Sequence, residues 1–235
     1  MDFEKKWQRF LEKYGSEGYE KVDAFLTDLE REYKNKKIKE FMQKGSTHEK
    51  AINKARQSWV AYVGRKLEEI VMFAIEPTVK KYGANLVSDK ELRRNALTKE
   101  LDSVRRALLV HFDRYSYLPD ADIVVYRFDP DKAKADVLAI LSVKNSFRER
   151  YTETPYWKIK LSQSDLTRRI KVFMVTTDRD DEISHAKLPS KARVVLSYEL
   201  DGVYITKNDS EIDSDKKVGN IKNLIEDLEN LLKIR

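Results

Sequence analysis

The chain has 235 residues, 41% of them hydrophobic and 37% charged, with a formal charge of +6. That apolar share supports one large domain or two small ones and excludes a wholly disordered chain, while the basic balance fits a polyanionic partner. The lack of cysteine excludes a disulfide scaffold, a thiol nucleophile and Cys-ligated zinc, and His48, His111 and His185 are too scattered for a histidine cluster.

No apolar run approaches the ~20 residues that a bilayer span needs. The start, MDFEKKWQRF, has no apolar stretch of the signal-peptide kind. No membrane partner and a cytoplasmic location are therefore expected.

Trp7, Phe10, Leu11 and Tyr14 recur at helical spacing, as do Val22, Phe25, Leu26 and Leu29. Ser46-Thr47-His48-Glu49 reads as a capping box that opens a long helix. Its apolar face carries Val60, Val63, Leu67, Ile70, Val71 and Ala74, and Pro77 is expected to kink or end it. Ser88-Asp89-Lys90-Glu91 is a second capping box, with a helix onward through Leu97, Leu101, Val104 and Leu108. After Tyr115 the texture turns β-branched and aromatic. Residues 123–126, 137–143, 172–176 and 194–198 read as strands, and Asp201-Gly202 as a hairpin turn into Val203-Tyr204-Ile205. The tail, with Val218, Ile221, Leu224, Leu228 and Leu231, reads as an amphipathic helix. Helices, then strands, then a closing helix indicate an α/β (α+β) chain. The expected division is a helical part over residues 1–45 and a catalytic part over 46–235.

The chemistry concentrates where Leu118-Pro119-Asp120-Ala121-Asp122 meets an apolar run and Leu141-Ser142-Val143-Lys144 closes the next. Neighbouring strand ends would bring Asp122 and Lys144 together. A carboxylate there can hold a hard cation such as Mg²⁺, and an ammonium can orient a water and offset phosphate charge. Phosphodiester hydrolysis needs those parts. Asp120 competes for the first role, but Asp122 directly precedes the strand and is favoured. Ser142 is a poor Mg²⁺ ligand, so a second carboxylate must come from elsewhere. Glu68, at the border of the long helix's apolar face, is the candidate. Gly64, one turn earlier, would let another backbone approach closely. Directly after Lys144, Arg148 and Arg150 can pair with guanine and Glu153 can accept from cytosine. Glu149 competes with Glu153, and either arginine could grip phosphate instead. Tyr151, Tyr156 and Trp157 read as core.

The acid at a strand start, Ser142-Val143-Lys144, and Lys144-x-x-x-Arg148-x-Arg150-x-x-Glu153 together resemble the PD-(D/E)XK type II restriction endonucleases. They are closest to the branch that recognises CCGG or CCNGG-type sites. Gly64-x-x-x-Glu68 is also similar to that family. The resemblance implies a central mixed sheet flanked by helices, with Asp122 and Lys144 as catalytic residues and Arg148, Arg150 and Glu153 as base readers. It departs at Trp157, where several members of the branch carry an acidic metal ligand; Glu68 would take that place.

The function expected from the sequence is a Mg²⁺-dependent, sequence-specific double-stranded DNA endonuclease. Asp122, Glu68 and the Val143 carbonyl would hold metal, and Lys144 would orient the attacking water. It would act as a homodimer on a palindromic G·C-rich site, with a DNA methyltransferase protecting the host. The alternatives are a shape-reading nuclease of the same fold, such as a junction resolvase or repair enzyme, and a non-catalytic DNA-binding module.

Overall fold

Helical spacing in the first third of the chain is realised as α1 (Phe3–Tyr14), α2 (Val22–Gln43) and α3 (His48–Lys81), in a computed structural model that describes residues 3–145 and 151–234. The start of α3 differs from the expected capping box. Thr47 is the cap residue and its side chain makes no capping bond. Nor does Pro77 end the helix, which runs on to Lys81. Trp59, Val63, Leu67, Ile70, Val71 and Ala74 form its buried face, but Val60 is 67% exposed because it falls on the adjacent row.

The second capping box forms as read. The Ser88 hydroxyl accepts the Glu91 N–H at 3.4 Å, and the Glu91 carboxylate accepts the Ser88 N–H at 3.2 Å. It caps only the single turn α4 (Asp89–Leu92); a separate helix, α5 (Lys99–Leu108), starts from a Thr98 cap.

The strands are β1 (Asn85–Ser88), the small hairpin β2 (Val110–Phe112) and β3 (Tyr115–Tyr117), then β4 (Ile123–Asp129), β5 (Lys134–Lys144), β6 (Lys171–Thr176), β7 (Gly202–Ile205) and β8 (Val218–Asn220). Helices α6 (Glu153–Ser162), α7 (Lys191–Glu199) and α8 (Ile221–Ile234) complete the chain. The main sheet runs β1-β4-β5-β6-β7-β8, antiparallel from β1 to β5 and parallel from β5 to β8. It is a mixed sheet flanked by helices, the architecture that the sequence resemblance implied.

Two readings of the second half are corrected. Residues 194–198 belong to α7, not to a strand. The Ser190 hydroxyl caps the helix by accepting the Arg193 N–H at 3.0 Å, and Ala192, Arg193 and Leu196 bury at helical spacing while Tyr198 is 83% exposed. The cap and the period of burial override the strand preference of Val194 and Val195. Asp201-Gly202 is likewise no hairpin turn, because β7 lies parallel to β6 and α7 makes the crossover. Val218 lies in β8, ahead of the tail helix.

The sheet buries both faces. Trp7, Leu26, Leu67, Ile70, Val125, Leu141 and Leu228 pack on one side, under α1, α2, α3 and α8. Val104, Leu108, Val124, Ile140, Leu161 and Leu196 pack on the other, under α5, α6 and α7. The alternation of β4 and β5 is reset by a bulge opposite Val125 and Tyr126, which inserts Leu138 into the first core beside Ala139. Among the described residues, no helix is long and apolar enough to cross a membrane.

Candidate active site

The antiparallel register of β4 and β5 pairs Ile123 with Leu141. Asp122, one residue before the strand, therefore meets the end of β5. Its Oδ2 accepts the Val143 N–H at 2.6 Å and lies 3.9 Å from the Lys144 Nζ. The expected pair is thus brought together by strand pairing. Ser142 is only 2% exposed, set back in the sheet.

The expected third member, Glu68, lies on α3. The buried row through Leu67 and Ile70 docks this helix on the sheet, and the adjoining Glu68 is held near Asp122 and Lys144. Burial and the Asp122 charge push the Glu68 carboxyl up from its ordinary 4.5 to about 7, against the opposing pull of Lys144. The Asp122 carboxyl is also raised, first by burial, although Lys144 and the Val143 N–H partly offset this.

A carboxylate that the sequence reading did not assign stands beside them. Ser88 of β1 pairs with Ile123, so the following Asp89 lies next to Asp122, with its N–H donating to the Asp122 carbonyl at 3.2 Å. The Arg93 Nε donates to both Asp89 carboxylate oxygens at 2.7 Å, and its Nη2 lies 3.5 Å from Asp120. The two rival acids are therefore separated: Asp122 faces Lys144, while Asp120 turns outward to Arg93 with its side chain 62% exposed. The capping box revealed Asp89 as a helix-start acid. Only the β1–β4 pairing reveals its neighbour.

Beside this cluster opens a cleft of about 500 Å³. Val143, Lys144, Asn145 and Glu153 line one wall and Arg56, Val60 and Gly64 of α3 another, with Lys34 and Glu30 of α2 nearby. Glu153 sits in the cleft as the first residue of α6. Arg148 and Arg150 lie outside the described residues. Trp157 is half-buried against the second core, whereas Tyr156 is 45% exposed, contrary to the core reading, because α6 turns it to solvent. The close approach expected at Gly64 is also absent: beyond its own turn of helix, nothing lies within 4 Å of where its Cβ would stand.

Arg179, after β6, closes the far side of the cleft. Its guanidinium pairs with Asp23, donates to Glu30 at 3.2 Å and donates to the Thr27 hydroxyl at 3.2 Å, which ties α2 to the sheet. The loop carrying it is pinned by buried Asp178, whose carboxylate accepts the N–H groups of Glu182, Ile183 and Ser184 and the Ser184 hydroxyl. Neither residue carried a signal in the sequence, since both act through contacts distant along the chain.

Among the described residues, no three His, Cys, Asp or Glu side chains converge as a metal cage. The donor set still suits a hard divalent ion. Such an ion retains several waters and needs only one or two carboxylates, and Glu68 and Asp122 form a mutually repelling pair whose charge it would offset.

Residues 99–227 match the family model described as BsaWI restriction endonuclease type 2. The chain is 39% identical over 210 residues to the putative type II restriction enzyme MjaVIP of Methanocaldococcus jannaschii, covering 88% of this chain and 91% of that protein. It is 46% identical over 173 residues to the probable type II restriction enzyme HpyAORF263P of Helicobacter pylori, covering 74% and 88% respectively. Among solved structures, the restriction endonuclease PspGI in complex with substrate DNA shares the fold, with a TM-score of 0.59 at 16% identity over 94% of this chain and 81% of that one.

Proposed function

The chain belongs to the type II restriction endonucleases, and from that premise we propose that it cuts double-stranded DNA with Mg²⁺ at a palindromic, G·C-rich site of CCGG type. The observation that carries the chemistry is the convergence of Asp122, Lys144 and Glu68 at the end of β5, beside an open cleft.

In this reading Asp122, Glu68 and the Val143 carbonyl hold the metal. When bound, the ion would supply charge stabilisation for the phosphate and activation of water. Lys144 orients the water for in-line attack and offsets phosphate charge. The phosphorus–oxygen bond to the 3′ oxygen breaks, and the products are a 5′-phosphate and a 3′-hydroxyl. The Val143 N–H fixes the Asp122 carboxylate, so that group is held in place before substrate arrives.

Arg148, Arg150 and Glu153 read G·C pairs from the major groove, Glu153 from its place in the cleft wall. A homodimer presents one site to each strand of a palindrome. The helical residues 1–45 form a DNA clamp or a dimer contact, and residues 46–235 the catalytic part. A methyltransferase of the same specificity protects the host's sites.

The test uses short duplexes with and without CCGG and CCNGG sequences, in Mg²⁺ and in EDTA, with end analysis of the products. Mg²⁺-dependent cuts at one such sequence, leaving 5′-phosphates, support the reading. Cuts that follow DNA shape rather than sequence refute it. Sedimentation with and without duplex reports the dimer.

A further inference from the structure

A glycine within a long helix costs stability relative to alanine, because its backbone has more freedom to lose. Gly64 stands well inside α3, and its backbone needs no left-handed conformation. No neighbour requires the missing side chain either, since, beyond its own turn of helix, nothing lies within 4 Å of where its Cβ would stand. The fold itself therefore gives no reason for glycine here. What lies over Gly64 is the cleft that also contains Lys144.

Residues four apart lie one above another on a helix face. Arg56, Val60, Gly64 and Glu68 form such a row, and the first three line the cleft. Arg56 is exposed, and Val60 is exposed although apolar. The row therefore runs from a cation, past an unpartnered apolar side chain and a gap, to the carboxylate beside Asp122.

We propose that Gly64 is a clearance residue: the sugar–phosphate backbone of the DNA strand being cut crosses α3 there, with Arg56 on a neighbouring phosphate and Val60 against the sugar edge. This rests on the nuclease reading above and adds where the strand runs. Gly64 is a positioning residue. Its hydrogen lets the scissile phosphate settle between Glu68 and Lys144.

The test compares wild type, Gly64→Ala and Gly64→Leu in thermal melts and in cleavage of a sequenced phage DNA in Mg²⁺. Gly64→Ala should melt higher by about 2–4 °C yet cut at least about 10-fold more slowly, and Gly64→Leu should lose about 100-fold, as for a reacting group displaced by ~1 Å. A gain in stability with a loss of cutting is a pairing that a purely structural glycine would not give. Gly64→Ala cutting as fast as wild type overturns the proposal and leaves the nuclease reading intact. So does Gly64→Ala melting lower than wild type, because the glycine would then serve the fold. A wild type that cuts nothing overturns the nuclease reading itself, and that is read without any variant.

Discussion

Glu68→Gln should make the metal-free protein more stable and cleavage-deficient at once. In the folded chain the Glu68 carboxyl is raised from 4.5 to about 7 by burial and by Asp122. A raised acid stabilises nothing when ionised. Its folded form holds the proton more tightly than the unfolded chain does, so stability falls as pH rises from the unfolded value through about 7. At ~1.36 kcal/mol per pH unit of displacement, the uncorrected cost at pH 8 is about 3 kcal/mol. Glu68 is only half-buried, and solvent screening reduces this to about 1–2 kcal/mol. Glutamine keeps the shape and removes the charge. In EDTA at pH 8 the variant should melt about 3–6 °C above wild type, and at pH 4.5 the two should nearly coincide. Mg²⁺ should raise the wild-type melting temperature more than that of the variant, because only wild type has the full carboxylate pair to offset. Calorimetry at the two pH values, with and without Mg²⁺, reads all of this. A variant no more stable than wild type at pH 8 would refute the claim that Glu68 and Asp122 repel across a partly dry site.

Asp201→Asn should cost about 1–3 kcal/mol at pH 7, because the carboxylate pairs with Lys158, accepts from Lys171 at 2.9 Å and accepts the Val172 N–H at 2.9 Å. Although burial opposes it, these partners hold its carboxyl below the ordinary range, so the contribution is present at neutral pH and lost as pH falls through the folded value; urea titrations at pH 7 and pH 3 should converge at the acid end. Asp178→Ala strands the buried Ile183 and Ser184 N–H groups and the half-buried Glu182 N–H, and should destabilise the chain by about 3 kcal/mol or more, read as a lower urea midpoint. Arg179→Ala releases α2 from the loop after β6, and limited proteolysis should then cut within α2 faster than in wild type, with the rest of the chain unaffected.

The geometry of the candidate site was legible wherever local order carried it. Asp122 precedes an apolar run and Lys144 ends one, and an antiparallel pair brings such positions together whatever the rest of the sheet does. Glu68 could be placed because helical spacing fixes its angle to Leu67 and Ile70. What remained hidden depends on pairings across the chain. Asp89 reaches Asp122 only through the β1–β4 register, and β1 is too short to stand out. Arg179 meets Asp23 and Glu30 from far along the chain. In the fold, Val194 and Val195 read as strand because β-branched residues favour strands on average. Ser190 and the buried face of α7 overrode that preference. The parallel order of β6 and β7 follows from the α7 crossover, so it is visible only once residues 191–199 are seen to be a helix.

The most direct test of the central claim is digestion of a fully sequenced phage DNA by wild type and by Lys144→Ala, each with Mg²⁺ and with EDTA. Wild type with Mg²⁺ should give discrete fragments whose ends share one short G·C-rich sequence, and the other three reactions should leave the DNA intact. Random nicking by wild type, or undiminished cutting by Lys144→Ala, would contradict the assignment of site-specific hydrolysis to the Asp122–Lys144–Glu68 cluster.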